Sequence, residues 1–408
     1  MTNEQKNLIK ILNKSIKNEK ISKEDLYDVD YEKLIQEIKC HNVSSLVYYT
    51  LEKDVINEID DNILSEWKKE VFFSNIVQIN HITEIKKVLN IFNEKGIKVI
   101  LLKGLILRNL YPKPELRSMS DADILVENEQ YDEAVQCLYE CNYILNGNYN
   151  DIHQGFIKPK ALEIEMHNKL INNDFFDVDF SKYEKEIWDN TTEIEIDGIK
   201  SNTLKIEDFI IHLILHMAVH SKLYGFGIRQ VYDFAVFINY NYDKINWGKL
   251  KMKMNSYGFG KYTEAIILII NKLFNVNIPL SFIKSSISEK SIDIFISNIM
   301  NAGVHGKKEL NDDFKMLYES TNHHKDQGLI AKRIVRFIFP GRRTLVEFRD
   351  KYKYVYINIF LLPIAWLDRI FNEYLGKYGF IQTMKFIDIS INILKRRNKL
   401  IELFELPF

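Results

Sequence analysis

Two aspartates separated by one residue, Asp121 and Asp123, stand at the start of the apolar run 124–126. Alternate side chains of a strand point to the same face, so the two carboxylates share one side of a strand. Two like charges that enter a core need a counter-charge, and a divalent cation with oxygen ligands supplies one. The pair therefore predicts a Mg²⁺-dependent site for phosphoryl or nucleotidyl transfer.

A third carboxylate is expected from a neighbouring strand, because such reactions use two metal ions about 3.5–4 Å apart that are held by carboxylates. The segment 161–167 alternates apolar and polar residues, which is typical of a half-buried strand. Glu163 and Glu165 both fall on its polar face. Glu165 is the favoured third ligand, and the pattern leaves Glu163 open.

Positive and small residues upstream of the aspartates are suited to bind a triphosphate. Gly104 lies where a buried strand turns into a short helix, so backbone N–H groups there can approach a phosphate without a Cβ in the way. Lys103 and Arg117 are candidates to neutralise the triphosphate. With Ser120, which precedes the aspartate pair, these residues form the predicted nucleotide-binding set.

Histidines recur near these residues and downstream of them. His167 shares the polar face of Glu165, where it orients the acceptor or a metal-bound carboxylate, or is an ordinary hydrogen-bonding histidine. His212, His216 and His220 form one stripe at four-residue steps of a helix. Two such histidines can bind zinc, but no HExxH motif or extra ligand accompanies them in the sequence. The stripe therefore predicts a helix face that lines the cleft.

The next helix carries Arg229 and Asp233, which are four residues apart. Opposite charges at this spacing are neighbours on a helix surface. Two interpretations stay open at this point: an intrahelical ion pair, or two residues that line the nucleotide cleft.

The composition is that of a globular protein. The chain has 408 residues, of which 46% are apolar and 27% charged, and a net charge of −1. This length predicts two or three subdomains, and the low content of glycine and proline (16 and 7) favours long helices. The cysteines Cys40, Cys137 and Cys141 form neither a disulfide framework nor a zinc motif, so we expect a reducing, cytoplasmic compartment.

Neither a secretory signal nor a membrane-spanning segment is expected. Residues 1–20 are polar and rich in lysine, and the longest apolar run, 355–367, is shorter than the ~20 residues that a spanning helix needs. Charge is unevenly distributed: residues 331–408 contain 15 Lys/Arg and 7 Asp/Glu, a balance of +8, which leaves −9 for residues 1–330. This basic region is expected either to present solvated helix faces or to contact an anionic surface.

The chain is expected to divide into four parts. These are an N-terminal helical region (1–95), a core with a small mixed sheet (96–205), a helical domain (206–330) and the basic C-terminal helical region (331–408). Within the core, the patterns predict strands at 97–102, 122–126, 152–157 and 161–167, helical turns at 105–110, a helix at 129–140, a turn at 146–150, and a hairpin of 193–196 with 199–204.

Five short motifs occur in an order that resembles a known family. They are Leu102-Lys103-Gly104, Tyr111-Pro112, Leu116-Arg117, the segment 120–126 (SDADILV) and the segment 164–167 (IEMH). Together they resemble the uncharacterised nucleotidyltransferase family of the polymerase-β-like superfamily, over residues 60–290. The resemblance implies an α+β fold in which a palm-like, mixed-sheet nucleotidyltransferase core is flanked by N-terminal and C-terminal helical regions.

The resemblance also implies roles for the residues that match the family's motifs. Asp121 and Asp123 match the metal-binding pair and Glu165 the third acidic position, while Lys103-Gly104 and Arg117 match the nucleotide pocket and the arginine upstream of the pair. One departure concerns the phosphate-binding turn. The wider superfamily usually has serine after the glycine and a closer acidic pair, whereas this chain has Leu105 after Gly104 and places Asp121 17 positions downstream.

The implied reaction is Mg²⁺-dependent transfer of a nucleoside monophosphate from an NTP to a hydroxyl or phosphate acceptor, with release of pyrophosphate. Family members are common in bacterial gene clusters for polysaccharide and modified-peptide synthesis, so a sugar, peptide or small molecule is the favoured acceptor. Two alternatives stay open: a degenerate nucleotide-sensing or scaffolding protein peripheral to the membrane, and a toxin-type nucleotidyltransferase acting on tRNA or protein. The sequence contains no P-loop, Rossmann fingerprint or GxSxG elbow.

Overall fold

The computed structural model describes residues 1–149, 153–171, 173–223, 225–283, 287–304, 339–342, 345–346 and 350–408. The chain forms two compact units. The first comprises Met1–Asn173, Val178–His216 and Arg229–Ile287, and the second comprises Asp174–Asp177, Met217–Ile228 and Ser288–Phe408. The four-part division drawn from the sequence stays a prediction.

Five helices precede the sheet, as the apolar periodicity of residues 1–95 predicts. They are α1 (Asn3–Ile16), α2 (Tyr31–Cys40), α3 (Ser44–Thr50), α4 (Lys53–Ile56) and the long α5 (Asp61–Glu94). Asp60 caps α5, because its carboxylate accepts hydrogen bonds from the backbone N–H groups of Asn62 and Ile63. The helix ends before Gly96, whose φ of +69° suits the left-handed conformation that often follows a helix.

A seven-stranded mixed sheet follows. Its elements along the chain are β1 (Val99–Leu101), α6 (Gly104–Leu107), β2 (Asp121–Val126), α7 (Tyr131–Glu140), β3 (Ile144–Tyr149), β4 (His153–Ile157), β5 (Glu163–His167), α8 (Ser181–Glu186), β6 (Thr191–Ile196) and β7 (Ile199–Leu204). The strand order is β3-β4-β5-β2-β1-β7-β6. β2 pairs in parallel with β5, and β1 with β7, while the other neighbours are antiparallel. The predicted α+β class is confirmed.

One face of this sheet is apolar and packs against α5 and α7. Ala122, Ile124 and Val126 of β2 are all buried in this core. Since alternate residues of a strand point to opposite faces, Asp121 and Asp123 lie on the other side. Burial of one Ile or Val side chain is worth about 1.5–3 kcal/mol, so the alternation fixes which face of the sheet carries the two carboxylates.

Two local predictions have different outcomes. The hairpin of β6 and β7 is confirmed, and Asp197 and Gly198 have φ values of +46° and +89°, as a type I′ turn requires.

The predicted turn at 146–150 is wrong for residues 146–149, which belong to β3. β3 lies at the edge of the sheet, and its register shifts between Leu145 and Tyr149. An irregular edge strand tolerates the Asn and Gly residues that suggested a turn. Residue 150 lies outside the described residues.

After the sheet, the described parts of the chain form helices joined by loops. The helices are α9 (Ile206–Lys222), α10 (Ile228–Asn241), α11 (Trp247–Ser256), α12 (Gly260–Phe274) and α13 (Glu289–Ala302), followed by the segments Tyr354–Ile357 and Leu362–Asp368, a π-helical stretch Arg369–Leu375, and the helix Gly376–Phe404. Of the apolar run 355–367, Val355 and Ala365 are buried, whereas Ile357 and Phe360 are 89% and 86% exposed. Among the described helices, none has the length and apolar character needed to cross a membrane.

Candidate active site

The pairing of β2 with β5 brings the predicted carboxylates onto one face of the sheet. In this parallel register Asp121 lies opposite Glu163, and Asp123 lies opposite Glu165. The residues between them, such as Ile164, point into the core. The alternation of both strands therefore places four carboxylate side chains on the polar face. Asp123 is the most deeply buried of them, with 3% of its surface exposed.

Lys103 places a positive charge against Asp123. Its Nζ atom donates a hydrogen bond to Asp123 Oδ1 at 2.6 Å. Lys103 lies between β1 and α6, and its φ of +39° is uncommon for a residue with a Cβ. Such a conformation costs on the order of 1 kcal/mol and persists only where the surrounding structure enforces it. The strained turn thus directs the ammonium group to the carboxylates on β2.

Burial and crowding shift the pKa values of these groups. Burial opposes ionisation of Asp123, but Lys103 and the His167 hydrogen bond hold its pKa well below the usual range. Burial and the charge of Asp123 raise the pKa of Asp121. Burial, followed by the charges of Asp123 and Asp121, raises the pKa of Glu165 to about 8. Burial lowers the pKa of Lys103, but the carboxylates outweigh it and the pKa is raised.

This set of donors fits a divalent cation. Three carboxylates, from Asp121, Asp123 and Glu165, share one face with the ammonium group that contacts Asp123, and burial, followed by their like charges, raises the pKa values of Asp121 and Glu165. Mg²⁺ takes carboxylate oxygens as ligands and adds two positive charges. A cation bound between them would relieve the repulsion that raises the pKa of Glu165.

Glu163 and Glu165 differ in their surroundings although both lie on the polar face. The Glu163 Oε1 atom accepts a hydrogen bond from Asn146 Nδ2 at 2.8 Å. A Cβ at Gly155 would lie 2.5 Å from the same oxygen, so the absence of a side chain there makes room for the carboxylate. Glu163 is thus held toward β3 and β4, whereas the charge of Glu165 is coupled to Asp121 and Asp123.

Two histidines adjoin Glu165. His167 Nε2 lies 3.1 Å from Asp123 Oδ1 and 3.8 Å from Glu165 Oε2. His153 Nε2 also lies 3.8 Å from Glu165 Oε2, and its ring centre is 4.9 Å from that of His167. His153 was missed in the sequence analysis. Its position two residues before Gly155 on a predicted strand was the available hint in the sequence. That position does not reveal its neighbours, because they are set by the pairing of β4 with β5.

Arg117 forms a buried ion pair with Asp233. Its Nε and Nη2 atoms donate to Asp233 Oδ1 and Oδ2 at 2.9 and 2.8 Å, and only 8% and 6% of the two side chains are exposed. Tyr111 donates a third hydrogen bond to Asp233 at 2.7 Å. Arg229, in contrast, donates to the carbonyl of Ser118 at 2.8 Å. Of the two interpretations left open by the sequence, the intrahelical ion pair is not the one observed, because Arg229 and Asp233 each contact the segment before β2.

That segment is tightly packed. A Cβ at Gly104 would lie 2.7 Å from Arg117 Nη1 and 2.8 Å from Met119 Sδ, so the contact requires glycine. Gln78 of α5 donates to the carbonyl of Met119 and accepts from its N–H, at 3.1 and 3.0 Å. Ser120 is exposed and directly precedes β2. Gln78 was also missed, because a single buried glutamine in a helix has no signature in the sequence.

The structure tests the predicted histidine stripe of α9 only in part. His212 is buried, and its pKa is lowered to about 3, first by burial and then by the positive charge of Lys103. The ring of His216 lies 6.4 Å from that of His212. His220 belongs to the second unit. The charged groups on the polar face of the sheet therefore influence the pKa of His212. That His216 and His220 line the cleft stays a prediction.

A known protein family matches the part of the chain that contains this site. The model of the uncharacterised nucleotidyltransferase family matches residues 27–275, which include every carboxylate, lysine and arginine of the site and more than half of the chain. The chain belongs to this nucleotidyltransferase family. It is therefore a nucleotidyltransferase, in agreement with the resemblance that its motifs show.

Two solved structures are similar to this nucleotidyltransferase over part of its length. One is the lincosamide antibiotic adenylyltransferase LnuA with lincomycin bound, with 13% identity, 38% of this chain and 94% of that chain covered, and a TM-score of 0.28. The other is the antibiotic-resistance factor ANT(2'')-Ia in solution, with 11% identity, 40% and 85% coverage, and a TM-score of 0.32. At these scores the likeness carries no argument about this chain. No curated protein matches it.

Proposed function

We propose that this nucleotidyltransferase moves a nucleoside monophosphate from an NTP to a hydroxyl or phosphate acceptor, with release of pyrophosphate and with Mg²⁺ held by Asp121, Asp123 and Glu165. The observation that carries the proposal is the register of β2 with β5. It sets Asp123 opposite Glu165 on a face that also receives the Lys103 ammonium group. Fixed backbone therefore presents the three carboxylates at one place.

When bound, the divalent cations would neutralise the triphosphate and activate the acceptor oxygen. The chain's own residues supply the rest. Lys103 can donate from Nζ to a phosphate oxygen, since its ammonium group already lies among the carboxylates. Gly104 lets the start of α6 approach the phosphates closely. Glu165 is the residue that we propose to take the proton of the acceptor hydroxyl.

Arg117 and Ser120 complete the proposed nucleotide-binding set. Two of the five donors of Arg117 bind Asp233, so the guanidinium is fixed in place and its Nη1 atom lies next to Gly104. A positioned guanidinium loses little entropy when it binds a phosphate. Ser120 is exposed beside the aspartates and is free of the core. We propose that both residues contact the triphosphate.

For the acceptor we favour a sugar, a peptide or another small molecule of a cytoplasmic biosynthetic route. None of the three cysteines, all of which lie in described parts of the chain, forms a disulfide, which fits a reducing compartment. The test uses each NTP labelled with ³²P at the α-phosphate, with Mg²⁺ and a fractionated small-molecule extract. We expect label in a new product and equimolar pyrophosphate with one NTP, and neither with Asp123→Asn. Label transfer by Asp123→Asn at the wild-type rate would refute the proposal.

A second candidate is the nucleotide-sensing protein at a membrane surface. Ile357 and Phe360 are almost fully exposed in the second unit, close in sequence to Lys351 and Lys353. Apolar side chains beside lysines suit an anionic bilayer. Sedimentation with anionic vesicles, together with NTP binding that leads to no transfer to any acceptor, would favour this candidate over the enzyme.

A further inference from the structure

A compact group of two imidazoles and one carboxylate lies beside the aspartates. His153 Nε2 and His167 Nε2 each lie 3.8 Å from Glu165 Oε2, and one ligand atom from each of the three residues lies within 4.8 Å of the others. The exposed fractions of the three side chains are only 26% for His153, 25% for Glu165 and 10% for His167. Three potential metal ligands therefore converge at a place largely shielded from solvent.

The backbone fixes this convergence. β4 and β5 are antiparallel, and His153 lies directly opposite His167 in their register. Side chains of such a pair are neighbours on the same face. Glu165 is two residues before His167 and thus shares that face as well. The group is consequently set by strand pairing and does not depend on long, mobile surface side chains.

The distances suit one metal ion. Metal–nitrogen and metal–oxygen bonds of about 2.0–2.2 Å place tetrahedral ligand atoms about 3.4 Å apart. The two separations of 3.8 Å from Glu165 exceed this value by a few tenths of an ångström, and the third, between the two imidazoles, is within 4.8 Å. Small rotations of the imidazoles about their side-chain bonds would close that gap.

The chemistry of the ligands selects the class of metal. Mg²⁺ prefers oxygen ligands and binds imidazole poorly, whereas Mn²⁺, Co²⁺ and Zn²⁺ accept two histidines and a carboxylate. Three protein ligands leave positions open for water or substrate. Asp123 is within reach on the same side, since its Oδ1 atom lies 3.1 Å from His167 Nε2.

We propose that His153, Glu165 and His167 form a binding site for a transition-metal cation such as Mn²⁺, adjacent to the carboxylates of β2. The site shares Glu165 with the proposed magnesium set, so its role in catalysis rests on the proposed function. Its existence does not, because the three ligands would bind the metal without a nucleotide.

The test uses Mn²⁺ alone as the probe and the full chain. Titration followed by electron paramagnetic resonance gives the affinity, and pulsed measurements detect ¹⁴N nuclei bound to the ion. We expect ¹⁴N modulation in the wild type and in Asp121→Asn, a variant that weakens the aspartate pair. His153→Gln should lose part of this modulation. It should also bind Mn²⁺ at least tenfold more weakly, because the loss of a group that supports a bound metal typically lowers the affinity by tenfold or more. Glu163→Gln is the matched control and should behave as the wild type.

Circular dichroism of the metal-free variants checks the fold, and His153→Asn replaces His153→Gln where folding fails. Mn²⁺ binding without ¹⁴N modulation, or with an unchanged affinity in His153→Gln, would overturn the site. The two proposals fail separately. Nitrogen-coordinated Mn²⁺ in a protein that transfers no nucleotide would uphold the site and remove the function. Nucleotide transfer with Mn²⁺ bound by oxygen alone would uphold the function and remove the site.

Discussion

Asp123 and Glu165 lie directly opposite each other on neighbouring parallel strands, 42 positions apart in the sequence. The two charges influence each other. Asp123 stays ionised beside Lys103, and burial together with the charge of Asp123 raises the pKa of Glu165 to about 8. A protein that buries two carboxylates in this way sacrifices stability in the absence of a cation.

Replacement of Glu165 by glutamine should stabilise the metal-free protein at high pH. The folded protein holds the Glu165 proton more tightly than the unfolded chain between pH 4.5 and about 8, so wild-type stability falls as the pH rises through this window. Glutamine removes that loss. We expect Glu165→Gln to gain several kcal/mol at pH 8.5, at most about 5 for a pKa raised from 4.5 to about 8, and little at pH 4.5, in urea unfolding with EDTA. A Glu165→Gln variant that is less stable at pH 8.5 than the wild type would contradict the assignment.

A methyl group at Gly104 should disturb the segment that holds Arg117. Its Cβ would lie within 2.8 Å of Arg117 Nη1 and Met119 Sδ, so one of them must move. We expect Gly104→Ala to lose about 1–3 kcal/mol of stability and to bind NTP more weakly. Gly248→Ala in α11 is the matched control, because its Cβ meets its nearest neighbour at 3.6 Å and should be neutral or slightly stabilising. Equal unfolding midpoints for the two variants would refute the packing argument.

Removal of the Asp233 charge should leave the Arg117 guanidinium buried without a partner. The loss of one member of such a pair costs about 3–5 kcal/mol, and we expect this range for Asp233→Asn in urea unfolding. The exposed pair of Lys182 with Glu186, with 89% and 51% of the side chains exposed, provides the comparison. Glu186→Gln should change stability by less than about 0.5 kcal/mol. Similar losses in the two variants would show that the buried pair has no special role.

His212 should make the protein less stable in mild acid. Its pKa is about 3 in the folded state, below the 6.5 of an unperturbed histidine, so the unfolded chain binds a proton that the folded protein does not between these values. Stability is therefore retained above pH 6.5 and declines as the pH falls below it. This residue accounts for at most about 1.4 kcal/mol per pH unit. His212→Gln should have a correspondingly shallower dependence between pH 6.5 and 4.5, and an unchanged slope would show that His212 is protonated in the folded state.

Local patterns in the sequence predicted the elements of the site well. The alternation in 161–167 and the apolar run after Asp123 arise because one face of each strand is buried. Such a pattern can be recognised from residues that are close together in the chain. The hairpin turn at Asp197-Gly198 is likewise local, since both residues must adopt positive φ. Predictions of this kind succeed because the physical cause lies within a few residues.

Partners from distant parts of the chain could not be predicted in this way. Arg117 meets Asp233 across 116 positions, and Gln78 meets Met119 across 41. His153 joins Glu165 only through the pairing of β4 with β5. Nothing in the spacing of these residues specifies the strand order or the angle of a packed helix. The turn predicted at 146–150 failed at residues 146–149 for a related reason, because an edge position changes what a run of Asn and Gly can form.

Asp121, Asp123 and Glu165 are expected to bind the metal that accompanies an NTP. Calorimetric titration of each of the four NTPs into the wild type, Asp123→Asn and Glu163→Gln, with Mg²⁺ and with EDTA and supported by thermal unfolding, tests this expectation. A ligand at 100 times its Kd should add about 2.7 kcal/mol to stability. We expect Mg²⁺-dependent binding of at least one NTP to the wild type and to Glu163→Gln, and its loss in Asp123→Asn. NTP binding that is equally tight with EDTA, or in Asp123→Asn, would refute this assignment of metal ligands.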